Sequence, residues 1–515
     1  MTAETINYLL PEIVLIAAAT AIYVLGAFVP ARGLWSALAA GAMLLAALLL
    51  ARGGVASTSG AVATDLLAQY GRWLGLGSGL LLVMMGARQS APGYGSEMTG
   101  SLVLATSGLM LAAVGNDLVL LFLGLEMISI PTYVLLYLGR PGDRGKEAAA
   151  KYFFLSILSS AVLLYGFSWL YGMGGATQLP VIQAALLSHS PDVGLARLGP
   201  LALVLLFMGL GFKMAAAPFQ FYAPDVYQGT SHGNAALLSV LPKAAGLIVL
   251  VRLVAVAMPG QERTAWHLAM ALGALSMTVG NLLAVWQTHV RRLMAYSSIA
   301  HIGYMLVGVA AGFAATQSPQ AGGSDGLGAM LFYLATYALA TIGTFAALAY
   351  LGSRERPIET LDDLAGLGWK YPIVGLSMGI FMFSLAGIPI FAGFWGKLTV
   401  FFAALRVAEA PGDAALRGWF LALVVLGALN AAVGAFYYLR VIGAMVFREP
   451  ATERSAGGGL AAWGAAVACA ALVLAIGILP GPLLRESQKA ANLGTPRPAG
   501  TVVAGAVATV AERAR

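Results

Sequence analysis

Along most of the chain the apolar residues alternate with polar ones at neither the helical nor the strand period. They form runs of roughly 20, broken by short clusters of charge, Gly and Pro. A helix that is apolar on every side needs apolar surroundings, and about 20 residues cross the ~30 Å hydrocarbon core of a bilayer. Read this way, the pattern predicts spans near 8–29, 33–51, 72–87, 99–114, 117–138, 148–171, 199–219, 232–258, 266–286, 292–312, 328–351, 373–404, 416–447 and 459–480. The expected fold class is an all-α polytopic membrane protein with about 14 transmembrane helices. Residues 482–515 are polar, alanine-rich and interrupted by Gly and Pro, and read as a poorly ordered tail. Near the N-terminus stand Glu4 and Glu12 where a signal peptide would carry basic residues, so the first apolar stretch reads as a retained span.

Composition agrees. Of 515 residues, 59% are apolar and only 10% charged, with a mean hydropathy of +0.83. Soluble domains carry about 25% charged residues, which sets aside soluble dehydrogenases, kinases and DNA-binding proteins. The net charge of +7 raises nucleic acid as a partner, but the basic residues are scattered in loops, where they set membrane orientation; no nucleic-acid binding is expected. A single cysteine, Cys469, rules out an internal disulfide or a cysteine metal cluster. No spacing of histidines and carboxylates suggests a metal site. Gly75-Leu-Gly-Ser-Gly reads as helix-packing surface instead of a phosphate loop.

One alternate set of loops holds Arg32, Arg88, Arg140, Arg144, Lys146, Arg291, Arg292, Arg354, Arg356, Lys370, Arg448 and Arg454. The other holds only Arg52, Arg72, Arg197, Arg263, Arg406 and Arg417. The first set is expected in the cytoplasm and both termini outside. A weak internal repeat pairs Lys151-Tyr-Phe-Phe-Leu-Ser with Leu331-Phe-Tyr-Leu-Ala-Thr, each followed by a proline-interrupted span with a lysine near the break: Lys213 with Pro218, then Pro389 with Lys397. An offset of five helices inverts the second copy, as in many transporters. The expected organisation is N-terminal helices in 1–98, inverted five-helix repeats in 99–258 and 266–447, each with a broken helix and a proton half-channel, a last span in 459–481, and the tail.

Ionisable residues inside spans carry the chemistry: Glu126, Lys213, Lys243, Lys397 and, at the start of its run, Lys151. Each costs about 2.5–3.5 kcal/mol at a helix centre, so such residues are retained for a reason. A buried lysine beside a carboxylate exchanges protons. Glu126 reads either as the acid partner of a lysine or as a cap on backbone freed by Pro131. Lys213 and Lys397, beside their breaks, read as proton carriers or as donors to freed carbonyls. Lys243, after Pro242, lies too deep to snorkel, whereas Lys151 is able to reach the interface. His301 reads equally as a relay or as a satisfied core histidine; His189, His232, His267 and His289 fall in loops or near span ends.

The pieces Leu10-Pro-Glu-Ile, Gly124-Leu-Glu-Met, Lys151-Tyr-Phe, Phe212-Lys through Pro218-Phe, Ala223-Pro-Asp-Val-Tyr-Gln-Gly, Pro242-Lys-Ala-Ala-Gly, Ala295-Tyr-Ser-Ser-Ile-Ala-His-Ile-Gly-Tyr, Gly387-Ile-Pro and Gly393-Phe-Trp-Gly-Lys together resemble the antiporter-like subunits of respiratory complex I. The resemblance covers nearly the whole chain. Lys at 397, the ending Tyr437-Tyr-Leu-Arg-Val and the lack of a long C-terminal lateral helix point to one branch of that family. It implies a proton-translocating subunit of NADH:quinone oxidoreductase in a bacterial inner membrane, with other membrane and hydrophilic subunits as partners. Glu126 would tune the lysine pair, Lys151 would be an auxiliary lysine beside it, Lys213 would accept protons, Lys243 would be the central relay, and Lys397 would serve the second broken helix. NADH, FMN, iron–sulfur clusters and quinone would be handled by partner subunits, with no cofactor bound by this chain. A subunit of a multisubunit cation/proton antiporter or membrane-bound hydrogenase is the alternative, and a structural scaffold a third reading. The chain departs from the family pattern at Gln220, where a histidine is usual, and at Thr230-Ser-His-Gly-Asn-Ala, which replaces a proline-rich turn and brings in His232.

Overall fold

In a computed structural model, residues 3–29, 31–53, 60–86, 93–140, 142–188, 197–316, 325–410, 414–449 and 455–492 are described. His189, Arg88, Arg454 and the last residues, 493–515, lie outside them. Among the described residues the chain is helical without strands; three isolated bridges, Val62 to Gly115, Asp117 to Gln178 and His289 to Thr360, tie loops at the bundle ends.

Every expected run holds a helix, but 10 helices are long and apolar enough to cross a membrane, or 11 if the pair Asp362–Lys370 and Pro372–Ala386, bent by 119°, is one span. The expectation of about 14 exceeds this count for identifiable reasons. Leu10–Gly26 has 17 residues and Gly199–Met214 has 16. Leu66–Gly86 is diluted by Gln69, Arg72 and five glycines. The run 373–404 is cut at Gly387–Phe391 into Pro372–Ala386 and Ala392–Glu409.

Three helices form the buried axis. His232–Arg252, continued by a π-helical turn to Ala257, Val290–Thr316 and Asp325–Leu351 are enclosed on nearly every side. Ala414–Phe447, by contrast, runs along the outside, with Val425, Leu429 and Phe436 exposed. Its 34 residues reach about 51 Å at 1.5 Å per residue, longer than the hydrocarbon core. Apolar side chains such as Phe154, Leu158 and Leu376 face outward; in a bilayer these meet acyl chains. Glycines let axial backbones approach: a Cβ on Gly280 or on Gly303 would sit 2.5 Å from the backbone nitrogen of Ala300 or Met277.

Two expectations are corrected here. Arg72 is no loop charge: it is 1% exposed and forks onto Glu12, with Nε and Nη2 at 2.7 and 2.6 Å from the two carboxylate oxygens. Residues 482–515 are also not all unstructured tail. Gly481–Ala491 is a helix with one apolar edge, whose Ser487 hydroxyl donates to Tyr70 at 3.2 Å.

Candidate functional site: a line of buried lysines

The helix Gly199–Met214 stops where Ala215 turns left-handed (φ 56°), and the chain resumes helical form only at Ala223–Gly229. Lys213 lies in the last turn before that break and is 2% exposed. Its Nζ lies within hydrogen-bond distance of Glu126 Oε1 (3.1 Å), Ser129 Oγ (2.7 Å), Ser156 Oγ (3.3 Å) and Ser160 Oγ (3.1 Å), four acceptors for three N–H donors, and Ser160 also donates to Glu126 at 2.6 Å. Glu126 is thus the partner of a lysine. Three hydroxyls surround the pair, so the ammonium is paired and hydrogen-bonded, as a buried charge must be.

Lys151 is elsewhere. It is 39% exposed and binds Glu147 (2.7 Å) and Asp225 (2.9 Å) at the end of the bundle. Ser160, which touches Glu126, lies nine residues further along the same helix, about 13 Å at 1.5 Å per residue. The expected auxiliary lysine beside Glu126 is therefore an interfacial one, because its long stem carries the charge out of the apolar run.

Lys243, 1% exposed, stands after Pro242 on the axial helix and donates to Ser298 Oγ at 2.7 Å. His301 follows Ser298 by three residues and so shares its face. Its Nδ1 meets Tyr333 Oη at 2.7 Å and its Nε2 meets Tyr438 Oη at 2.8 Å, while Tyr438 also meets Ser297 Oγ at 2.5 Å. Both readings of His301 survive: it is a satisfied core imidazole, and it bridges two hydroxyls. Lys397, 6% exposed, lies beyond the second break, donates to the carbonyls of Leu385 and Ala386 at 2.9 Å each, and sits 5.1 Å from the centre of the Tyr304 ring. Donation to freed carbonyls is thus realised at Lys397 and not at Lys213.

Other ion pairs went unseen in the sequence. Arg252, inside an axial span, forks onto Asp65 at 2.6 and 2.9 Å. At the opposite end, Glu359 joins Arg140 and Arg291, and Asp225 joins Arg292 as well as Lys151. Burial opposes the charge of Glu359, but Arg140 and Arg291 more than offset it and hold its carboxyl below the usual range. His289, beside them, is pushed down to about 4 by burial and by Arg291. The Arg291-Arg292 pair was the available signal, but it reads as a topology marker. The departures resolve in part: Ser231 caps the axial helix by accepting from Asn234 N (3.3 Å), and Asn234 donates to the Leu135 carbonyl (2.5 Å), doing what a rigid turn would do. Gln220 is half-buried, with Oε1 unpartnered.

Comparison with known proteins identifies the family. A family model described as NADH:quinone oxidoreductase/Mrp antiporter, TM, matches residues 115–415, more than half of the chain. NADH-quinone oxidoreductase subunit N 1 of Solibacter usitatus is 38% identical over 499 residues, which cover 94% of this chain and 97% of that one. Subunit N 1 of Rhizobium meliloti is 38% identical over 470 residues, 89% of this chain and 93% of that one. Among solved structures, a chain of respiratory complex I from Thermus thermophilus with bound aureothin is 35% identical, with a TM-score of 0.74 over 92% of this chain and 98% of that chain. A chain of the Mrp complex from Dietzia sp. DQ12-45-1b has a TM-score of 0.77 over 96% of this chain and 97% of that one at 22% identity, a likeness of fold alone. The chain therefore belongs to the NADH:quinone oxidoreductase/Mrp antiporter family of transmembrane subunits.

Proposed function

We propose that this chain is a proton-translocating membrane subunit of NADH:quinone oxidoreductase, working beside other subunits of complex I. The observation that carries the reading is the set of three lysines, Lys213, Lys243 and Lys397, each at most 6% exposed inside the helical bundle. Lys213 with Glu126 takes up a proton, Lys243 passes it on, and Lys397 with His301 and Tyr304 receives it; Lys151 with Asp225 gathers protons at the surface. Lysine suits the task because its ammonium gives up a proton when desolvated, which a guanidinium does not do. NADH, FMN, iron–sulfur clusters and quinone belong to partner subunits, whose redox energy reaches this chain through charge and conformation. The reading includes fourteen spans in a bacterial inner membrane, both termini outside, and inverted repeats over 99–258 and 266–447. A role in a cation/proton antiporter rests on fold likeness at 22% identity, against 35–38% for the complex I relatives.

The test replaces Lys243 in the assembled complex. Lys243→Met keeps length, removes a charge costing about 2.5–3.5 kcal/mol in a membrane, and leaves assembly intact. Quinone reduction and pumping fall together, and Lys243→Arg fails likewise. Normal pumping by assembled Lys243→Met complexes would overturn the relay.

A further inference from the structure

A cavity of about 70 Å³ opens at the end of the bundle that carries Arg140, Arg291 and Arg354, and all three arginines line it. Among the described residues no carboxylate lines it. Glu359 engages Arg140 and Arg291, so one carboxylate stands against three guanidiniums and the cavity stays positive. Two helices also begin at its wall. His232–Arg252 starts after Ser231 and Gly459–Ile478 after Gly458, and both flanking residues are lining residues. Each start adds the positive end of a helix dipole.

What marks this cavity as a site is His232. It lines the wall, is 4% exposed, and neither ring nitrogen has a well-formed hydrogen bond; the Ile358 backbone is its polar neighbour. Arg291, 1% exposed, likewise leaves Nε unused. Leaving buried donors unpaired costs about 1–3 kcal/mol each, which a native chain does not ordinarily carry without a ligand. Glycine lets the wall segments pack this closely: a Cβ on Gly458 would sit 2.1 Å from the Ala349 carbonyl oxygen, and one on Gly139 would sit 2.1 Å from Asn234 Nδ2. The volume takes several waters or one tetrahedral oxyanion.

We infer that this cavity binds a phosphate group, held by Arg140, Arg291, Arg354 and His232 at two helix starts. Planar guanidiniums match phosphate oxygens two at a time, and basic pockets between membrane helices take lipid headgroups. The phosphate comes either from an anionic phospholipid or from free inorganic phosphate, and both satisfy the same donors. Substitutions are best made at His232 and Arg354, which are outside the lysine line and outside the Glu359 clamp.

The assembled complex, stripped of lipid in detergent, is labelled with a photoactivatable phosphatidylglycerol, and the peptides around 139–140, 230–232 and 352–358 are identified by mass spectrometry. In parallel it is titrated with radiolabelled inorganic phosphate. Expected are saturable lipid labelling at these peptides, saturable phosphate binding, or both. His232→Phe and Arg354→Gln each weaken that binding about tenfold, the loss of one charge-assisted hydrogen bond, while assembly stays normal. Labelling unaffected by excess inorganic phosphate identifies the headgroup as the source; labelling suppressed by it identifies a site open to the free ion. If neither probe binds, or if both variants bind like the unmodified complex, the site is not a phosphate site. Carbodiimide crosslinking of a partner subunit's carboxylate to residues 230–232 or 352–358 would likewise overturn the proposal.

Discussion

Among the described residues Glu126 is the one carboxylate that touches a buried lysine of the line, and serines from two helices surround the contact. Glu126→Gln keeps shape but leaves the Lys213 ammonium with hydroxyls and an amide oxygen, a loss of about 1.5–3 kcal/mol for a charged hydrogen bond. Assembly should persist while pumping slows, and Ser160→Ala should slow it less, since Ser160 supports both members. Proton pumping by membrane vesicles at matched complex content checks both; unchanged rates would make Glu126 structural. The lysines were legible because a charge within an apolar run stands out. Their partners were not: Ser129, Ser156, Ser160 and Ser298 are ordinary small residues in helices until packing points their hydroxyls at one nitrogen. Of the two readings of Lys151, the snorkelling one follows from its place at the start of its run, while the placement beside Glu126, implied by the resemblance, is the one the structure does not show.

At the scale of elements, ion pairs join segments distant in sequence. Arg72 and Glu12 fasten Leu66–Gly86 to Leu10–Gly26. Breaking such a buried pair by Arg72→Met leaves a lone carboxylate and costs about 3–5 kcal/mol, whereas the double change Arg72→Met with Glu12→Gln recovers most of the loss. Thermal unfolding of the purified complexes measures the difference; equal losses in single and double variants would contradict the pairing. The loop clamp makes a separate expectation in acid. Glu359 is held below its ordinary range and His289 down near 4, so both bind protons more readily unfolded than folded. Their stabilisation is full above the unfolded pKa values and falls as pH drops, first for His289 below about 6.5 and then for Glu359 below about 4.3. Glu359→Gln should remove the lower part of that decline. A melting temperature equally acid-sensitive in that variant would exclude Glu359 as a source. Both clamps escaped the sequence reading because hydropathy assigns an arginine to a loop or a span without reporting what it faces.

At the scale of the whole molecule, the all-helical fold was legible in run length alone, and the span count was not. Gly199–Met214 and Pro372–Ala386 are too short to cross by themselves, and only tertiary structure shows where each chain resumes. Cys469, the single cysteine, is buried and so is a silent background for labelling. Glu4→Cys and Arg356→Cys, introduced separately, should then react from opposite sides of the membrane, Glu4→Cys from outside. Labelling of both from the same side would overturn the fourteen-span topology and the inverted repeat with it.

Lys397 gives the second break a property that follows from its two carbonyl bonds. An ammonium holds Leu385 and Ala386 with charge-assisted bonds, about twice as strong as those of a neutral amine. The end of Pro372–Ala386, negative by its dipole, therefore grips a charged Lys397 and relaxes around a discharged one. If Lys397 carries protons as proposed, charge at one atom becomes tension at the second break, and a strain imposed there from a neighbouring subunit would, by reciprocity, alter how firmly Lys397 keeps its proton; the break would then act as an electromechanical latch readable from either direction.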